Sequence, residues 1–349
     1  SMAGLAMAAL GAQKPKTAKT QSKVAESAPT YTEWHDLQVN DINRFPLHTT
    51  FFTFASGEVS AKGEGDKTQS KNFLSLDGTW KFNWVENADQ RPTDFYKADL
   101  DDSKWSNIQM PGNWEMLGFG QPEYVNNGFA WRGHFDQQPP AVPTKDNHVG
   151  SYRRIIDIPE NWDGKQVIAH FGSVTSNIYL YVNGKFVGYA EDSKIAAEFD
   201  ITPYMKKGKN LIAFQTFRWC DGSWCEDQDF WRLSGVAREN YLYARDAKTQ
   251  IEDIRVTPDL VNNYKDGVLD IKATVKGNPV VVYQLHDNVT GKIVIQKIIK
   301  SANGKAYCTL QVAYSTKWTA DTPNLYNLKA IDCIHAATGK GQTHISTIT

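Results

Sequence analysis

The segment from Ile178 to Tyr189 constrains the fold more than any other, because it reads I-Y-L-Y-V-N-G-K-F-V-G-Y. Its central Asn183-Gly184 pair supplies the positive φ angles of a type I′ turn, which joins two antiparallel strands. From Phe73 onward the chain repeats this pattern in short alternating or apolar runs, broken by Gly, Pro, Asn and Asp. Clear examples are residues 78–84, 151–158 and 165–171. The pattern predicts an all-β protein.

Length and strand spacing predict two domains. A chain of 349 residues is longer than one ordinary domain. Residues 31–246 combine many strands with long loops, which favours a jelly-roll β-sandwich. Six plainer strands with short turns follow in residues 247–349, and this spacing is typical of an immunoglobulin-like sandwich. Only short helices are expected, such as one over Ile201 to Lys207.

The start of the chain has a different composition from the rest. Residues 3–12 form a short apolar run that ends in small residues, as at the end of a signal peptide. Residues 13–30 are polar and rich in lysine, which predicts disorder. We therefore interpret residues 1–30 as a signal-peptide remnant and disordered leader of a periplasmic or secreted bacterial protein. No run reaches the roughly 18 apolar residues of a membrane-spanning helix, so no membrane partner is expected.

Charge and cysteine content exclude several kinds of partner and site. The net charge is −1, with 38 basic and 39 acidic residues mixed along the chain. Such a balance creates no basic surface for nucleic acid or for an anionic membrane. The four cysteines contain no C-x2-C pair, which argues against a zinc cluster. Cys220 and Cys225 are compatible with a disulfide bridge or with two free thiols, and the sequence leaves both open.

The segment from Arg218 to Arg232 is the strongest candidate for a binding site. It reads R-W-C-D-G-S-W-C-E-D-Q-D-F-W-R and combines three tryptophans with four carboxylates. Aromatic faces cover the apolar C–H patches of sugar rings, and carboxylates accept hydrogen bonds from sugar hydroxyls or bind hard cations. The same letters also suit a buried aromatic cluster beside a solvated acidic turn. Within the segment, Asp229 is either a cation ligand or the ion-pair partner of one of the flanking arginines.

No catalytic residue is predicted in this chain. A glycosidase needs two carboxyl groups that face the scissile bond, and the adjacent acids at Glu191-Asp192 and at 226–229 are poor candidates. Neighbours on a strand point to opposite faces, and neighbours in a turn usually face solvent. The long loop at 111–131 offers Asn126, whose amide suits a sugar hydroxyl but equally suits a turn.

Six blocks of sequence, in order, resemble the N-terminal region of β-galactosidases of glycoside hydrolase family 2. The blocks are E-W-H-D-L-Q-V-N-D-I-N-R (33–44), L-D-G-T-W-K-F (76–82), P-G-N-W-E-M-L-G (111–118), P-E-Y-V-N-N (122–127), V-N-G-K-F-V-G-Y-A-E-D-S (182–193) and R-W-C-D-G-S-W-C-E-D-Q-D-F-W-R-L-S-G (218–235). They span residues 33 to 245, and beyond 246 the resemblance continues more weakly as the family's first immunoglobulin-like domain. The last block is the most specific.

The resemblance implies that the parent protein is a retaining β-galactosidase that hydrolyses terminal β-D-galactosides. The family's two catalytic glutamates lie on a (β/α)8 barrel after the second domain, so a chain without that barrel is expected to be inactive. Loops of the jelly-roll domain reach the mouth of the barrel. There, Asn126 would bind galactose hydroxyls, and Asp229 would bind both the sugar and a sodium ion. A homo-oligomeric complete enzyme is compatible with the family.

A magnesium site of the family looks similar at Glu33, Asp36, Val39, Glu191 and Asp221. The family's first acidic ligand appears here as Glu33, its asparagine as Asp36 and its glutamine as Glu191. These departures add negative charge, which is compatible with binding of a hard cation at these residues. Asn127 stands where an apolar residue is expected.

Two readings besides the β-galactosidase fragment stay open at this point. A free-standing carbohydrate-binding module would use the same aromatic and acidic surface without catalysis. A subunit that completes a partner carrying the barrel would instead expose an apolar patch on the first domain.

Overall fold

The computed structural model describes residues 28–60, 62–126, 131, 135–226, 228–333 and 343–348. Most of the predicted leader at residues 1–30 therefore lies outside the described residues. The helices of the described ranges are 3-10 turns of three to five residues: Glu33–His35, Lys67–Gln69, Ala88–Gln90, Glu115–Leu117, Glu160–Trp162, Thr202–Tyr204 and Asp221–Cys225. Among these described helices, none has the length or the apolar character needed to cross a membrane.

Strands account for nearly all the regular structure. In the first part of the chain they are β1 (Asp41–Ile42), β2 (Phe52–Ala55), β3 (Phe73–Ser75), β4 (Gly78–Val85), β5 (Ser106–Met110), β6 (Gly112–Asn113), β7 (Glu123–Val125), β8 (Val149–Ile158), β9 (Gln166–Phe171), β10 (Val174–Thr175), β11 (Asn177–Val182), β12 (Lys185–Glu191), β13 (Ala197–Asp200), β14 (Gly208–Phe217), β15 (Phe230–Arg232), β16 (Gly235–Val236) and β17 (Asn240–Arg245). In the second part they are β18 (Gln250–Val261), β19 (Asp266–Lys276), β20 (Val280–Asp287), β21 (Ile293–Lys300), β22 (Lys305–Val312), β23 (Tyr326–Cys333) and β24 (Thr343–Ile348).

The first sandwich packs a seven-stranded sheet against a four-stranded sheet. The strand orders are β1-β12-β11-β14-β8-β4-β5 and β13-β9-β17-β3. Trp80, Tyr152 and Phe214 from the larger sheet share one buried cluster with Phe171 and Leu242 from the smaller sheet. Each fully buried apolar side chain of this size contributes about 1.5–3 kcal/mol relative to an exposed one. The facing aromatic rows are therefore the main source of cohesion in this domain.

The predicted hairpin forms as expected from its turn residues. Asn183 and Gly184 have φ angles of 51° and 80°, and they join β11 to β12 in an antiparallel pair. Strand β11 is buried along its whole length on both faces, because the cluster that contains Trp34 of the N-terminal segment covers its outer side. The helix expected at Ile201 to Lys207 is reduced to the 3-10 turn Thr202–Tyr204.

The second sandwich pairs a three-stranded sheet with a five-stranded sheet. Their orders are β18-β19-β22 and β2-β24-β23-β20-β21. The six strands predicted in this region correspond to β18 through β23. The predicted all-β class, a jelly-roll sandwich followed by an immunoglobulin-like one, is confirmed.

One strand joins the two sandwiches in a way that the sequence pattern did not indicate. β2 precedes the first domain's core strands, yet its backbone pairs with β24 at the edge of the second sandwich. Its side chains Phe52 and Phe54 pack instead against Ile168, Tyr241 and Tyr243 of the first sandwich. A single short strand thus donates its backbone to one domain and its aromatic rings to the other.

Truncating Phe54 should therefore weaken both sandwiches together. Phe54 is only 2% exposed, and we expect Phe54→Ala to lower the free energy of unfolding by about 3–5 kcal/mol. Urea unfolding measures the loss, and hydrogen exchange at β17 and β24 shows which domain opens. The control Leu47→Ala, at a side chain that is 49% exposed, should change stability by less than about 0.5 kcal/mol. Faster exchange confined to the first sandwich would contradict the shared role of this strand.

Candidate functional site

A two-stranded ribbon brings together the two residues predicted to bind sugar. β7 and β15 pair antiparallel, with Val125 opposite Phe230 and Tyr124 opposite Trp231. Asn126 directly follows β7, and Asp229 directly precedes β15. The register therefore places these two residues across from each other at the same end of the ribbon. Sequence analysis expected a loop on this side, and the short strand within it was not predicted.

The inner face of the ribbon attaches it to the first sandwich. Glu123 accepts an ion-paired hydrogen bond from the buried Arg218, with 2.7 Å between Nη2 and Oε2. Arg232 is also buried, and it donates to the carbonyl oxygens of Glu226 at 3.3 Å and Gln228 at 2.7 Å. Arg218, which directly follows β14, therefore ties the ribbon to the sandwich, and Arg232 of β15 fixes the segment that precedes that strand.

Four side chains whose chemistry suits a sugar ligand lie on the outer face of the ribbon. Because alternate side chains point to opposite faces of a strand, Tyr124 and Asn126 share a face with Asp229 and Trp231. All four are exposed, with Tyr124 at 52% and Trp231 at 54%. The two rings lie with centroids 5.6 Å apart at an angle of 57°. The arrangement is an open surface of two aromatic rings, one amide and one carboxylate.

A hydrogen bond across the ribbon orients Asp229. The Tyr124 hydroxyl donates to Oδ1 of Asp229, and this bond to the carboxylate raises the pKa of Tyr124. The alternative in which a flanking arginine neutralises Asp229 is not what the structure shows, because Arg218 and Arg232 have the other partners described above. Among the described residues, no hydrogen bond reaches the second carboxylate oxygen, whose chemistry suits a hydroxyl group or a cation.

The tryptophans of the segment from Arg218 to Arg232 divide between two roles. Trp219 and Trp224 pack against Trp131 in an internal cluster, with ring centroids 5.5 Å and 4.6 Å from that ring. Trp224 is half-buried there, whereas Trp231 is exposed. The aromatic-cluster interpretation therefore describes Trp219 and Trp224, and a sugar-binding role for Trp231 and Asp229 stays a prediction.

The loop after the ribbon is fixed by residues of the segment P-G-N-W-E at 111–115. Ser234 donates its backbone N–H to the buried Glu115 carboxylate at 2.9 Å and 3.1 Å. Gly235 has a φ of 96°, and a Cβ there would lie 2.8 Å from the Trp114 ring. Glycine is therefore required at that position by both its backbone angle and its close contact.

A separate acidic cluster lies on the other side of the aromatic segment. The ligand atoms of Glu191, Cys220 and Asp221 lie within 4.8 Å of one another, and all three residues are buried. Burial raises the pKa of Glu191 to about 8, and the neighbouring Asp221 carboxylate adds to the rise. Burial also raises the pKa of Asp221. Two carboxylates at this distance repel each other when both are ionised, so they hold a proton or attract a cation.

The other predicted magnesium ligands occupy different positions relative to this cluster. Asp36 and His35 are close enough for their charges to affect Asp221. Val39 donates its backbone N–H to the carbonyl of Asp36 at 2.8 Å. The Glu33 carboxylate has its own partners, since it accepts from the Thr30 backbone at 2.6 Å and from the Tyr179 hydroxyl at 3.0 Å. The structure thus brings Glu191 and Asp221 together, puts the charge of Asp36 within electrostatic reach of Asp221, and gives the Glu33 carboxylate other partners.

The cluster fits a hard cation by its chemistry. Oδ2 of Asp221 is buried and has no hydrogen-bond partner among the described residues. Carboxylate oxygens are the preferred ligands of magnesium and calcium. The Cys220 thiol is less suited, because burial raises its pKa well above the usual value and keeps it neutral. Both Cys220 and Cys225 are free thiols, so no disulfide bridges them.

Some residues named from the sequence lie outside the described ranges, and others were missed. Asn127 and Asp227 belong to the first group. Tyr124 belongs to the second, because nothing in its local sequence shows that it lies beside Asp229. One indication was present in the sequence. Tyr124 lies two residues before Asn126, so the two side chains share a face if the segment forms a strand.

Comparison with known proteins defines the class as a sugar-binding β-sandwich followed by a second sandwich of glycosyl hydrolases. The model for the sugar-binding domain of glycosyl hydrolases family 2 matches residues 73–246. A second model, for glycosyl hydrolases family 2, matches residues 249–336. The chain belongs to glycoside hydrolase family 2.

Curated relatives are named β-galactosidase. The enzyme of Priestia megaterium is 36% identical over 331 residues, which cover 89% of this chain and 31% of the relative. That of Halalkalibacterium halodurans is 36% identical over 297 residues, covering 84% and 29%. The β-galactosidase large subunit of Leuconostoc lactis is 30% identical, covering 84% and 48%. The chain therefore spans 29% to 48% of the length of these relatives.

Solved structures share the fold at lower identity. The β-glucuronidase of Bifidobacterium dentium, complexed with coumarin-3-O-glucuronide, aligns with a TM-score of 0.62 and 17% identity over 80% of this chain and 49% of that one. The β-glucuronidase of Bacteroides uniformis aligns with a TM-score of 0.61 and 20% identity, over 79% and 31%. These likenesses support the arrangement of the strands.

The buried acidic cluster should make stability depend on pH. Glu191 keeps its proton in the folded state up to about pH 8, whereas the unfolded chain releases it near 4.5. Ionisation therefore favours unfolding as pH rises between these values, and that cost disappears in Glu191→Gln. In urea unfolding with a chelator present, the stability of Glu191→Gln relative to wild type should increase by about 1–2 kcal/mol from pH 6 to pH 8.

The matched control is Glu160→Gln, at an exposed carboxylate on the surface. Its stability relative to wild type should not differ between the two pH values. A parallel pH response in Glu191→Gln and in this control would argue against a protonated pair at the cluster.

Proposed function

We propose that this chain is the N-terminal, non-catalytic part of a retaining β-galactosidase that acts on terminal β-D-galactosides. It contributes galactose and cation contacts to an active site completed by a barrel domain. The observation that carries the proposal is the outer face of the ribbon, where Asn126 and Asp229 lie opposite each other beside two exposed rings. The curated β-galactosidase relatives support the same substrate class.

The proposed roles follow from the chemistry of each group. The Asn126 amide both donates and accepts, so it suits a hydroxyl pair on the sugar. The Asp229 carboxylate accepts from a hydroxyl through the oxygen that Tyr124 does not use, and it would also hold the sodium ion. Hydrolysis with retention requires a carboxylic acid and a carboxylate nucleophile about 5–5.5 Å apart. We assign that pair to the barrel.

A second cation belongs to the acidic cluster in this proposal. Glu191, Asp221 and Asp36 would hold magnesium or a similar hard ion, which would neutralise carboxylates that otherwise repel each other. The ion would tie the N-terminal segment to the hairpin strand β12 and thereby stabilise the first sandwich. We also propose a periplasmic or secreted location for the parent enzyme, on the composition of residues 1–30.

The galactose role is tested by sugar titration of the purified chain. We expect methyl β-galactoside to bind with a Kd weaker than about 1 mM, because only part of the subsite is present. Asp229→Ala and Asn126→Ala should each weaken binding at least about tenfold, since each removes a hydrogen-bonding group from the sugar. Methyl β-glucoside serves as the comparison ligand in ligand-observed NMR. Equal binding of both sugars in wild type and in both variants would refute the assignment.

A hydrolysis assay tests whether this region has catalytic activity without the rest of the parent enzyme. The purified chain should not hydrolyse a chromogenic galactoside, because both catalytic carboxyl groups are assigned to the barrel. Turnover that persists in Asp229→Ala after removal of host enzyme would show catalysis elsewhere in the chain and contradict the proposal.

A free-standing carbohydrate-binding module is the second candidate, and the exposure of Tyr124 and Trp231 favours it. Affinity distinguishes the two, because a complete module should bind the sugar more tightly than about 1 mM. Titration calorimetry with galactose provides this value.

Magnesium should stabilise the folded chain through the acidic cluster. At a concentration about a hundred times the Kd, binding contributes about 2.7 kcal/mol and raises the Tm by several degrees. Asp221→Asn should abolish this shift, whereas Asp270→Asn in the second sandwich should retain it. A magnesium-induced shift that survives in Asp221→Asn would place the ion elsewhere.

A further inference from the structure

Residues 45–51, the linking segment, run from the first sandwich to the second. At the start of the segment, Phe45 donates its backbone N–H to the carbonyl oxygen of Glu198 on β13 at 2.8 Å. Further along, Thr49 donates its backbone N–H to Oδ1 of Asp253 on β18 at 3.0 Å. The ring of Phe51 packs against the core of the second sandwich, and β2 follows directly. The linking segment therefore contacts both domains.

His48 lies in the middle of the linking segment, and each of its ring nitrogens faces an acceptor. Nδ1 lies 2.8 Å from the carbonyl oxygen of Thr49, and Nε2 lies 2.8 Å from Oε2 of Glu198. A carbonyl oxygen and an ionised carboxylate both accept hydrogen bonds and donate none. Both contacts are hydrogen bonds only when each nitrogen carries a proton, and a neutral imidazole has a single N–H. The geometry thus requires the charged form of His48.

The carboxylate opposite His48 is buried and ionised. Glu198 is only 7% exposed, and it accepts a hydrogen bond from the Tyr243 hydroxyl at 3.0 Å. Its other oxygen lies 2.7 Å from Nδ1 of His170 on β9. Burial by itself raises the pKa of Glu198, but the hydrogen bonds with His170 and His48 outweigh burial and hold this pKa below its usual range. A buried carboxylate of this kind depends on the partners that neutralise it.

Other charged groups surround His48 without taking the place of Glu198. Arg245 on β17 favours the neutral ring by its positive charge. Lys67 is paired with Glu239, and Arg238 donates to the carbonyl oxygen of Lys194. The titratable groups that line this cleft or lie against the linking segment are Lys67, His170, Lys194, Glu198, Arg238, Glu239, Tyr241, Tyr243, Arg245 and Asp253.

We propose that the protonated form of His48 couples the two sandwiches, and that loss of its proton loosens this coupling. The contacts run from Glu198 in the first sandwich to His48, from His48 to the carbonyl of Thr49, and from the N–H of Thr49 to Asp253 in the second. A neutral His48 keeps one of its two hydrogen bonds and gives up the other. The inference is independent of the proposed sugar binding.

The direction of the pH effect follows from the partners of His48. The hydrogen bond with Glu198 raises the pKa of His48 above its ordinary 6.5, although burial opposes the rise. The stabilisation is therefore complete below pH 6.5 and is lost as the pH rises through the raised pKa. The pairing of β2 with β24 should respond first, because β2 directly follows the linking segment.

Two NMR measurements on the full chain test the coupling. Long-range nitrogen–proton spectra count the protons on the His48 ring, and we expect two at about pH 6 and one at about pH 9. Hydrogen exchange, corrected for the intrinsic effect of pH, gives the protection of backbone amides. Protection in β2 and β24 should fall about tenfold between these pH values, whereas β8 and β14 in the first sandwich should keep theirs.

Two variants identify the group that titrates. His48→Gln keeps hydrogen-bonding groups but has no charged form, so β2 and β24 should show the low protection of wild type at high pH throughout. His170→Gln is the matched control, because it removes the other histidine from the same carboxylate outside the linking segment. Its β2 and β24 amides should retain the pH response.

Several results would overturn the proposal. A single proton on the His48 ring at about pH 6 contradicts it in the wild-type chain alone, even if His48→Gln does not fold. A pH response of β2 and β24 that persists in His48→Gln, or that disappears in His170→Gln, assigns the effect to another group. Equal protection of these strands at both pH values in wild type shows that the proton on His48 does not couple the sandwiches.

Discussion

The alternation of side chains along antiparallel strands is the constraint on which the whole structure depends. In β11, Ile178 and Leu180 enter the core between the two sheets, while Tyr179 and Tyr181 enter the cluster on the opposite face. Because both faces are buried, a register shift of one residue would exchange entire rows of apolar side chains. This rigid sheet fixes where its connecting segments begin and end. The segments that carry function inherit their positions from it.

The β7–β15 ribbon uses the same alternation at a smaller scale. Three paired residues on each strand are too few for an independent hairpin, so the ribbon depends on contacts of its inner face. The buried Arg218 provides such a contact through the Glu123 carboxylate, and Arg232 braces the segment before β15 through two carbonyl groups. For the proposed sugar-binding role, an outer face held in this way would lower the ordering cost of binding.

The acidic cluster illustrates the cost of keeping charged groups inside a sandwich. Glu191 and Asp221 are buried next to each other, and each carboxyl group has a raised pKa. A proton relieves the repulsion at low pH, and a hard cation would relieve it at higher pH. Stability and pH are therefore linked through this cluster, and the proposed cation would link ion concentration to them as well.

The sequence by itself determined the features that arise from local geometry. The Asn183-Gly184 turn and the period-two strands follow from backbone preferences that act over a few residues. Asn126 and Asp229 were singled out by the resemblance of their sequence blocks to the family, because local chemistry left other roles open for both. Tertiary structure alone decided that Tyr124 bonds to Asp229, 105 positions away in the chain, and which tryptophans are buried or exposed. It also decided that β2 joins the second sandwich. Pairing partners and burial depend on contacts between distant segments, and a pattern within one segment does not specify them.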